Sequence, residues 1–367
     1  MIYALGLFYL FYFALVGVYI IFMPHTLLGF GYSEMEVGVI FAGAPFMRFL
    51  LPFIFKKYIT LTHNVFKISL FITFVGTLLI FAFVDNFWLY LLANLIFGGS
   101  MGVALPFIES VALSFLSKDR YGKVRLYGSI GFMLISLWLG KMLIGFKYEI
   151  FFYLSSMAFL TMIMGYIVAS YDKNSSIKES IADNQNFSLW KYKYLWLSLF
   201  LMQVAFGGFY NFFTIYQSSN GVSRETISWM WSFGVMAEIF MLYFQGALLR
   251  KNLLNLLKFA TLVTSIRWFI LYLYPTSIIL TFASQSLHAI SFALYHSVAI
   301  TYIFMLYTQK RLAQQFFLGI SFGLGGSVGA IFAGEIYGEY LFLIEGIITI
   351  IAFLVLFLHT NRVKNIK

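Results

Sequence analysis

The sequence predicts an all-α membrane protein of twelve transmembrane helices, and three observations lead there. Of its 367 residues, 61% are hydrophobic and 10% are charged, whereas soluble domains carry roughly 25% charged residues. The apolar residues fall into runs of about 20, the length a bilayer-spanning helix needs. Lys and Arg concentrate in every second gap between those runs. Irregular backbone is not tolerated in lipid, so the runs are expected to be helices. No alternating apolar–polar strands suggest an outer-membrane barrel.

Taken in order, the first run, 2–23, lacks a basic leader and a small-residue cleavage site before Pro24, so it is expected to be a retained span. The second, 35–55, carries Arg48, placed to snorkel to the cytoplasmic surface. The third is 65–84. The fourth, 87–116, is unusually long and holds Gly98, Gly102 and Glu109. The fifth, 124–145, begins at Arg125, with Lys141 near its end; the sixth is 150–170. The seventh, 194–217, sets Gln203, Gly207, Tyr210 and Thr214 at helical spacing on one face, with Asn211 beside them. The eighth, 223–248, has Trp231 seven residues before Glu238, again on one face. The ninth, 254–273, contains Arg267, and the long tenth, 276–307, contains Gln285, His288, Ser291 and His296. The eleventh, 312–334, spaces Gly319, Gly323, Gly326 and Ala330 for close helix approach. In the twelfth, 340–359, Glu345 and His359 lie near the ends and are expected at the interface, as is Glu335.

Of the 24 Lys and Arg residues, 19 fall on one side of this arrangement, only Lys147 and Arg224 on the other, and three inside spans. The positive-inside rule then puts both termini in the cytoplasm. The polar stretch 171–193 divides the chain into a six-helix half, 1–170, a cytoplasmic linker, and a second six-helix half, 194–367. The matched long fourth spans fit a transporter built from two repeats.

A charge at the bilayer centre costs on the order of 2.5–3.5 kcal/mol or more, so intramembrane charges are candidates for function. Antiparallel helices joined by a short turn place residues equidistant from that turn at equal depth. Glu238 lies 14 residues before Asn252 and Arg267 lies 15 after it, both roughly 20 Å along their helices from the turn. Glu109 and Arg125 are each eight residues from Ser117. Each pair is read as a functional pair or a structural salt bridge. His288 and His296 are candidate proton carriers, because an imidazole titrates near neutral pH; a hydrogen-bonded core histidine is the plainer alternative. Gln203, Tyr210, Asn211 and Trp231 are candidates to line a solute path. Zinc is not expected, because no third ligand has suitable spacing. There are no cysteines, and thiol chemistry is excluded. Walker A, G-x-S-x-G and H-E-x-x-H patterns are absent, which leaves ATP-driven transport and intramembrane hydrolysis without their usual signals. No cofactor or nucleic-acid partner is expected, and the bilayer is the expected surrounding.

Four stretches stand out: YGKVRLYGS at Tyr121–Ser129, Phe209–Glu238 with Ile215-Tyr216-Gln217, Ser265-Ile266-Arg267-Trp268, and Leu287-His288 through His296. In order and placement they resemble the major facilitator superfamily, in the oligosaccharide:proton symporter branch that includes 3-phenylpropionate transporters. The resemblance implies the major facilitator fold in a bacterial inner membrane, a monomer, and a secondary transporter working by alternating access. It implies that Glu109 and Arg125 hold the solute and that Glu238, Arg267 and His288 couple it to a proton. The branch's second carboxylate on span ten is Ser291 here, and its stacking tryptophan on span five is Phe132. Proton symport of a small organic solute such as an aromatic carboxylate is the leading expectation. Symport of a sugar or nucleoside, and uncoupled facilitation, are the alternatives within this class. A sensor or scaffold that transports nothing is the alternative outside it.

Overall fold

Helix starts are set by short polar caps. Asn86, Asn252 and Ser277 each accept a hydrogen bond from the backbone N–H three residues on, at 3.1, 3.0 and 3.4 Å. Ser33 and Glu36 form a reciprocal capping box: Ser33 N donates to Glu36 Oε2 (2.8 Å), and Glu36 N donates to Ser33 Oγ (3.3 Å). The computed structural model describes residues 1–58, 62–116, 118–143, 148–171 and 187–363. The linker expected over 171–193 and the turn at Ser117 lie wholly or largely outside the described residues.

Counting each run through its local irregularities, the described helices are α1 (Ile2–Gly29), α2 (Glu34–Tyr58), α3 (His63–Ala82), α4 (Phe87–Phe115), α5 (Lys118–Met142) and α6 (Glu149–Tyr171). Then come α7 (Trp190–Ser219), α8 (Arg224–Arg250), α9 (Leu253–Leu273), α10 (Ile278–Leu306), α11 (Lys310–Phe316 through Gly326–Glu335) and α12 (Leu341–Val363). Eleven of these are long and apolar enough to cross a membrane among the described residues. The exception is α5, whose first two turns carry Lys118, Asp119, Arg120, Lys123 and Arg125.

The chain forms two compact units. Unit 1 comprises Met1–Glu179 and Ser223–Ser232; unit 2 comprises Ser180–Val222 and Phe233–Lys367. In unit 1, α1 packs on α5 and α6, α4 packs on α2 and α3, and α3 packs on α6. The start of α8 joins this unit through Ser136 Oγ, which donates to Ser228 O (3.1 Å), and through Arg224, which donates to Leu143 O. In unit 2, α9 and the first part of α7 pack on α12, and the second part of α7 packs on the end of α11.

Three helices of unit 2 depart from the uninterrupted spans that their composition predicts. Helix α7 breaks between Lys193–Val204 and Gly207–Ser219. The break coincides with Gly207-Gly208, and glycine is about 1 kcal/mol poorer than alanine in a helix. It also coincides with a close approach: a side chain at Gly207 would strike the Gly329 carbonyl of α11, and one at Gly329 would come within 2.6 Å of Val204 O. Helix α10 widens into a π-helix over Ala289–Leu294, and α11 does so over Phe317–Gly325. Such widenings recur at functional sites.

One turn occurs twice. Gly31 (φ 96°) follows α1 and Gly221 (φ 81°) follows α7. In each case the next N–H, of Tyr32 or Val222, returns to the carbonyl five residues back, at 3.2 and 3.0 Å. A serine then caps the following helix, Ser33 for α2 and Ser223 for α8. The αL glycine satisfies the end of one helix while the serine starts the next. The same glycine–serine punctuation thus follows the first and the seventh helix.

Candidate functional site

Unit 1 brings Glu109 of α4 to Arg125 of α5. Arg125 Nε donates to Glu109 Oε1 at 2.9 Å, and the side chains keep 33% and 28% exposure. The Tyr121 hydroxyl donates to Glu109 Oε2. The Arg125 guanidinium lies over the rings of Phe13 (4.2 Å) and Tyr9 (5.3 Å), both from α1, contacts that attract a cation electrostatically. Three helices thus converge on one ion pair whose surroundings are aromatic. Phe132 and Trp231 meet in the same unit, ring centroids 6.3 Å apart, and Trp231 is buried. Arg48 is exposed, and its charge acts on Tyr12 of α1.

Unit 2 encloses Arg267 of α9 completely, at 0% exposure. Arginine only donates. Nη1 serves His288 Nδ1 (2.9 Å) and Ser291 Oγ (3.1 Å), and Nη2 serves Gln285 Oε1 (3.0 Å). Ser284 Oγ lies 3.4 Å from Arg267 O. The guanidinium sits over the rings of Phe209 (4.1 Å) and Trp268 (4.7 Å). Because His288 Nδ1 must accept, neutral His288 carries its proton on Nε2. That nitrogen faces Glu238 Oε2 at 3.9 Å, longer than a hydrogen bond. Equal depth in the sequence suggests a Glu238–Arg267 pair; the structure links the two through His288.

The remaining candidates divide. The break in α7 interrupts the stripe of Gln203, Tyr210 and Thr214, so its regular spacing does not run along one straight helix. Gln203 and Thr214 are buried, and Tyr210 stacks on Phe206 (5.5 Å). Asn211 Nδ2 donates to Gly207 O of its own helix (2.7 Å). His296 lies among Phe292, Phe317 and Phe322, one π-stacked neighbour away from His288, since Phe292 stacks on both rings. Ser291, which the sequence marks as a missing carboxylate, is an Arg267 ligand.

Two expectations are corrected. Glu345 and His359 are not interfacial residues: they are 1% and 2% exposed. Glu345 Oε1 accepts from Gly208 N–H, and the charges of Glu345 and Arg267 act on each other. His359 Nε2 and the Tyr302 hydroxyl are 2.9 Å apart. Position near a span end could not show that α12 turns these groups inward. The signal available was Gly208 in α7, where a Cβ would strike the Glu345 carboxylate. Among the described residues no group of three or more His, Asp or Glu side chains could hold a metal.

Comparisons with known proteins identify the family and the fold. The sequence model of the MFS_1 like family matches residues 2–344. A probable 3-phenylpropionic acid transporter of Escherichia coli (strain K12) is 25% identical over 360 residues, covering 92% of this chain and 91% of its own. An uncharacterized transporter of Bacillus subtilis (strain 168), YwbF, is 24% identical over 341 residues, covering 88% and 84%. Crystal structures of the nucleoside transporter NupG, one of a point mutant and one without it, superpose with TM-scores of 0.81 and 0.80. They are 17% and 16% identical, covering 98% of this chain and 99% and 98% of theirs; likeness at that level concerns the fold. The chain is therefore a multi-pass membrane protein that belongs to the MFS_1 like family, transporters of the major facilitator superfamily.

Proposed function

We propose that this protein is a proton-coupled secondary transporter that carries a small aromatic carboxylate, of the 3-phenylpropionate kind, by alternating access. The observation that carries the coupling is the line Arg267–His288–Glu238. A buried guanidinium, a neutral imidazole and a carboxylate follow one another, with a 3.9 Å gap at the last step. Closing that gap lets Nε2–H donate to the Glu238 carboxylate, and a proton gained or lost by Glu238 changes a charge that is felt at Arg267 through His288. The solute carboxylate is assigned to the Arg125 guanidinium, whose side chain is one-third exposed, and the solute ring to Tyr9 and Phe13 beneath it. The 25% identical relative described as a probable 3-phenylpropionic acid transporter supports the same solute class.

A hydroxylated solute is the second reading. Glu109, held by Arg125 and Tyr121, also suits sugar hydroxyls, as carboxylates accept paired hydrogen bonds. Twelve spans with both termini cytoplasmic, a bacterial inner membrane and a monomeric state complete the proposal. Uptake into proteoliposomes tests it. Aromatic acids, sugars and nucleosides are compared with and without an imposed inward proton gradient. Gradient-driven accumulation of aromatic acids alone is the expected outcome. Accumulation of a sugar or nucleoside in its place moves the assignment, and no flux of any solute overturns it.

A further inference from the structure

We propose that Glu345 of α12 binds the coupling proton, alternating between a carboxylate that balances Arg267 and an acid that releases it. This inference rests on the proton-symport reading above and names a residue that reading does not use.

Glu345 is almost wholly buried, at 1% exposure. An uncompensated carboxylate there is costly, because burial disfavours the charged form. Two features hold the charge. Gly208 N–H, the second of the half-helix that follows the break in α7, donates to Oε1. The first N–H groups of a helix lack intrahelical partners, and the helix dipole there favours an anion. The second feature is Arg267, whose hydrogen-bond partners on the guanidinium are the uncharged His288, Ser291 and Gln285. Phe209, next to Gly208, lies under that guanidinium (4.1 Å), and the charges of Glu345 and Arg267 act on each other, so Glu345 joins Glu238 as a carboxylate that balances Arg267.

Glu345 Oε2 is buried and has no hydrogen-bond partner among the described residues. A permanent structural carboxylate would have both oxygens satisfied. An oxygen left open inside a polar cluster is where a proton can be added. Beside it stands Gly208 from α7, Arg267 from α9 acts on it by charge, and His288 from α10 lies behind Arg267. Thr349 of α12 itself donates to the Glu345 backbone carbonyl (2.7 Å).

The step balances simply. A proton from solvent forms an O–H bond at Oε2; the carboxylate becomes a neutral acid and Arg267 stays a cation. Arg267 then loses Glu345 as a counter-charge, and the added positive charge inside the membrane favours an anionic solute at Arg125. Loading of proton and anion is thereby mutually favourable, and loss of the proton restores the Glu345–Arg267 balance and expels the anion.

The test uses the full chain in proteoliposomes with 3-phenylpropionate as probe. Glu345→Gln is expected to lower accumulation driven by a proton gradient on the order of 10-fold or more, the scale of a lost proton-transfer group, while solute exchange without a gradient persists. Infrared titration of the solute-free protein gives a second readout: a protonated-carboxyl band titrates in the wild type and is missing in the variant. Should the Gln variant fail to fold, Glu345→Asp keeps the charge, and its pH midpoint for accumulation is expected to shift. Wild-type accumulation in Glu345→Gln, or an unmoved midpoint in Glu345→Asp, overturns the assignment to Glu345 and leaves symport standing. A wild type that accumulates solute regardless of the gradient overturns symport itself, and the coupling role of Glu345 with it.

Discussion

Replacing Arg267 by lysine keeps the charge and removes the fork. A lysine ammonium is a compact point charge, and it cannot serve His288, Ser291 and Gln285 in the in-plane directions the guanidinium uses. Uptake by Arg267→Lys is expected to fall about 10- to 100-fold, as for other positioning shells, with the protein still folded by size-exclusion profile. Glu238→Gln is expected to abolish gradient-driven uptake and keep counterflow; undiminished uptake with unchanged pH dependence contradicts its place in the relay. In unit 1, Arg125→Lys loses the Nε contact to Glu109 and is expected to raise the apparent KM for aromatic acids by about tenfold, a loss near 1.4 kcal/mol. At this scale the sequence is a good guide where two groups share a short turn, because counting residues measures depth. That count found Glu109–Arg125. It could not find Glu345, which meets Gly208 across 137 positions of chain and shares no turn with it.

Among elements, the approach of α7 to α11 rests on hydrogen in place of side chains. Gly329→Leu puts a branched side chain where Val204 O lies within 2.6 Å of a Cβ. Overpacking of this kind costs about 1–3 kcal/mol, and a lower Tm by thermal-shift measurement is the expected outcome; an unchanged Tm means the helices separate freely there. The sequence shows a small-residue stripe in α11 at Gly319, Gly323, Gly326 and Ala330; the structure adds close backbone approaches at Gly325 and Gly329. The π-helix over Phe317–Gly325 alters the register on which the expected stripe depends. Composition cannot display such a widening, because it arises from packing against another helix. At the N-terminal end of α7, Trp196 Nε1 donates to the Tyr307 hydroxyl (2.8 Å), which donates to Ser188 O (3.0 Å), while Phe187 stacks on both Tyr307 and Phe316. Tyr307→Phe breaks both bonds at once and is expected to cost about 1–2 kcal/mol of stability.

Over the whole molecule, charge distribution and apolar length were enough to read a multi-pass bundle of helices, because lipid leaves the backbone few alternatives. The fifth helix shows the limit of that reading. Lys118–Met142 is one continuous helix, yet its opening turns are too charged for composition to mark it as a span. Only the alternation of basic loops argues for counting it. A fluorescent-protein fusion after the last residue tests the count: bright cytoplasmic fluorescence is expected for twelve spans, and a dark fusion that is active as an external alkaline phosphatase contradicts it. The repeated Gly–x–Ser turn at Gly31 and Gly221 adds a reason for an even, two-fold plan that hydropathy does not contain.

The enclosure of Arg267 also has a consequence for biosynthesis. Its ring partner Phe209 is made before it, but Gln285, His288, Ser291 and Glu345 all follow it in the chain. When α9 leaves the ribosome, it carries a bare guanidinium into the insertion machinery, where an unpartnered arginine costs on the order of 2.5–3.5 kcal/mol at the centre of a helix. Stable release of α9 into lipid must therefore wait for α10, and its full charge balance for α12. Nascent chains cut short after residue 277 should leave α9 loosely inserted, and chains extended through α12 should hold it.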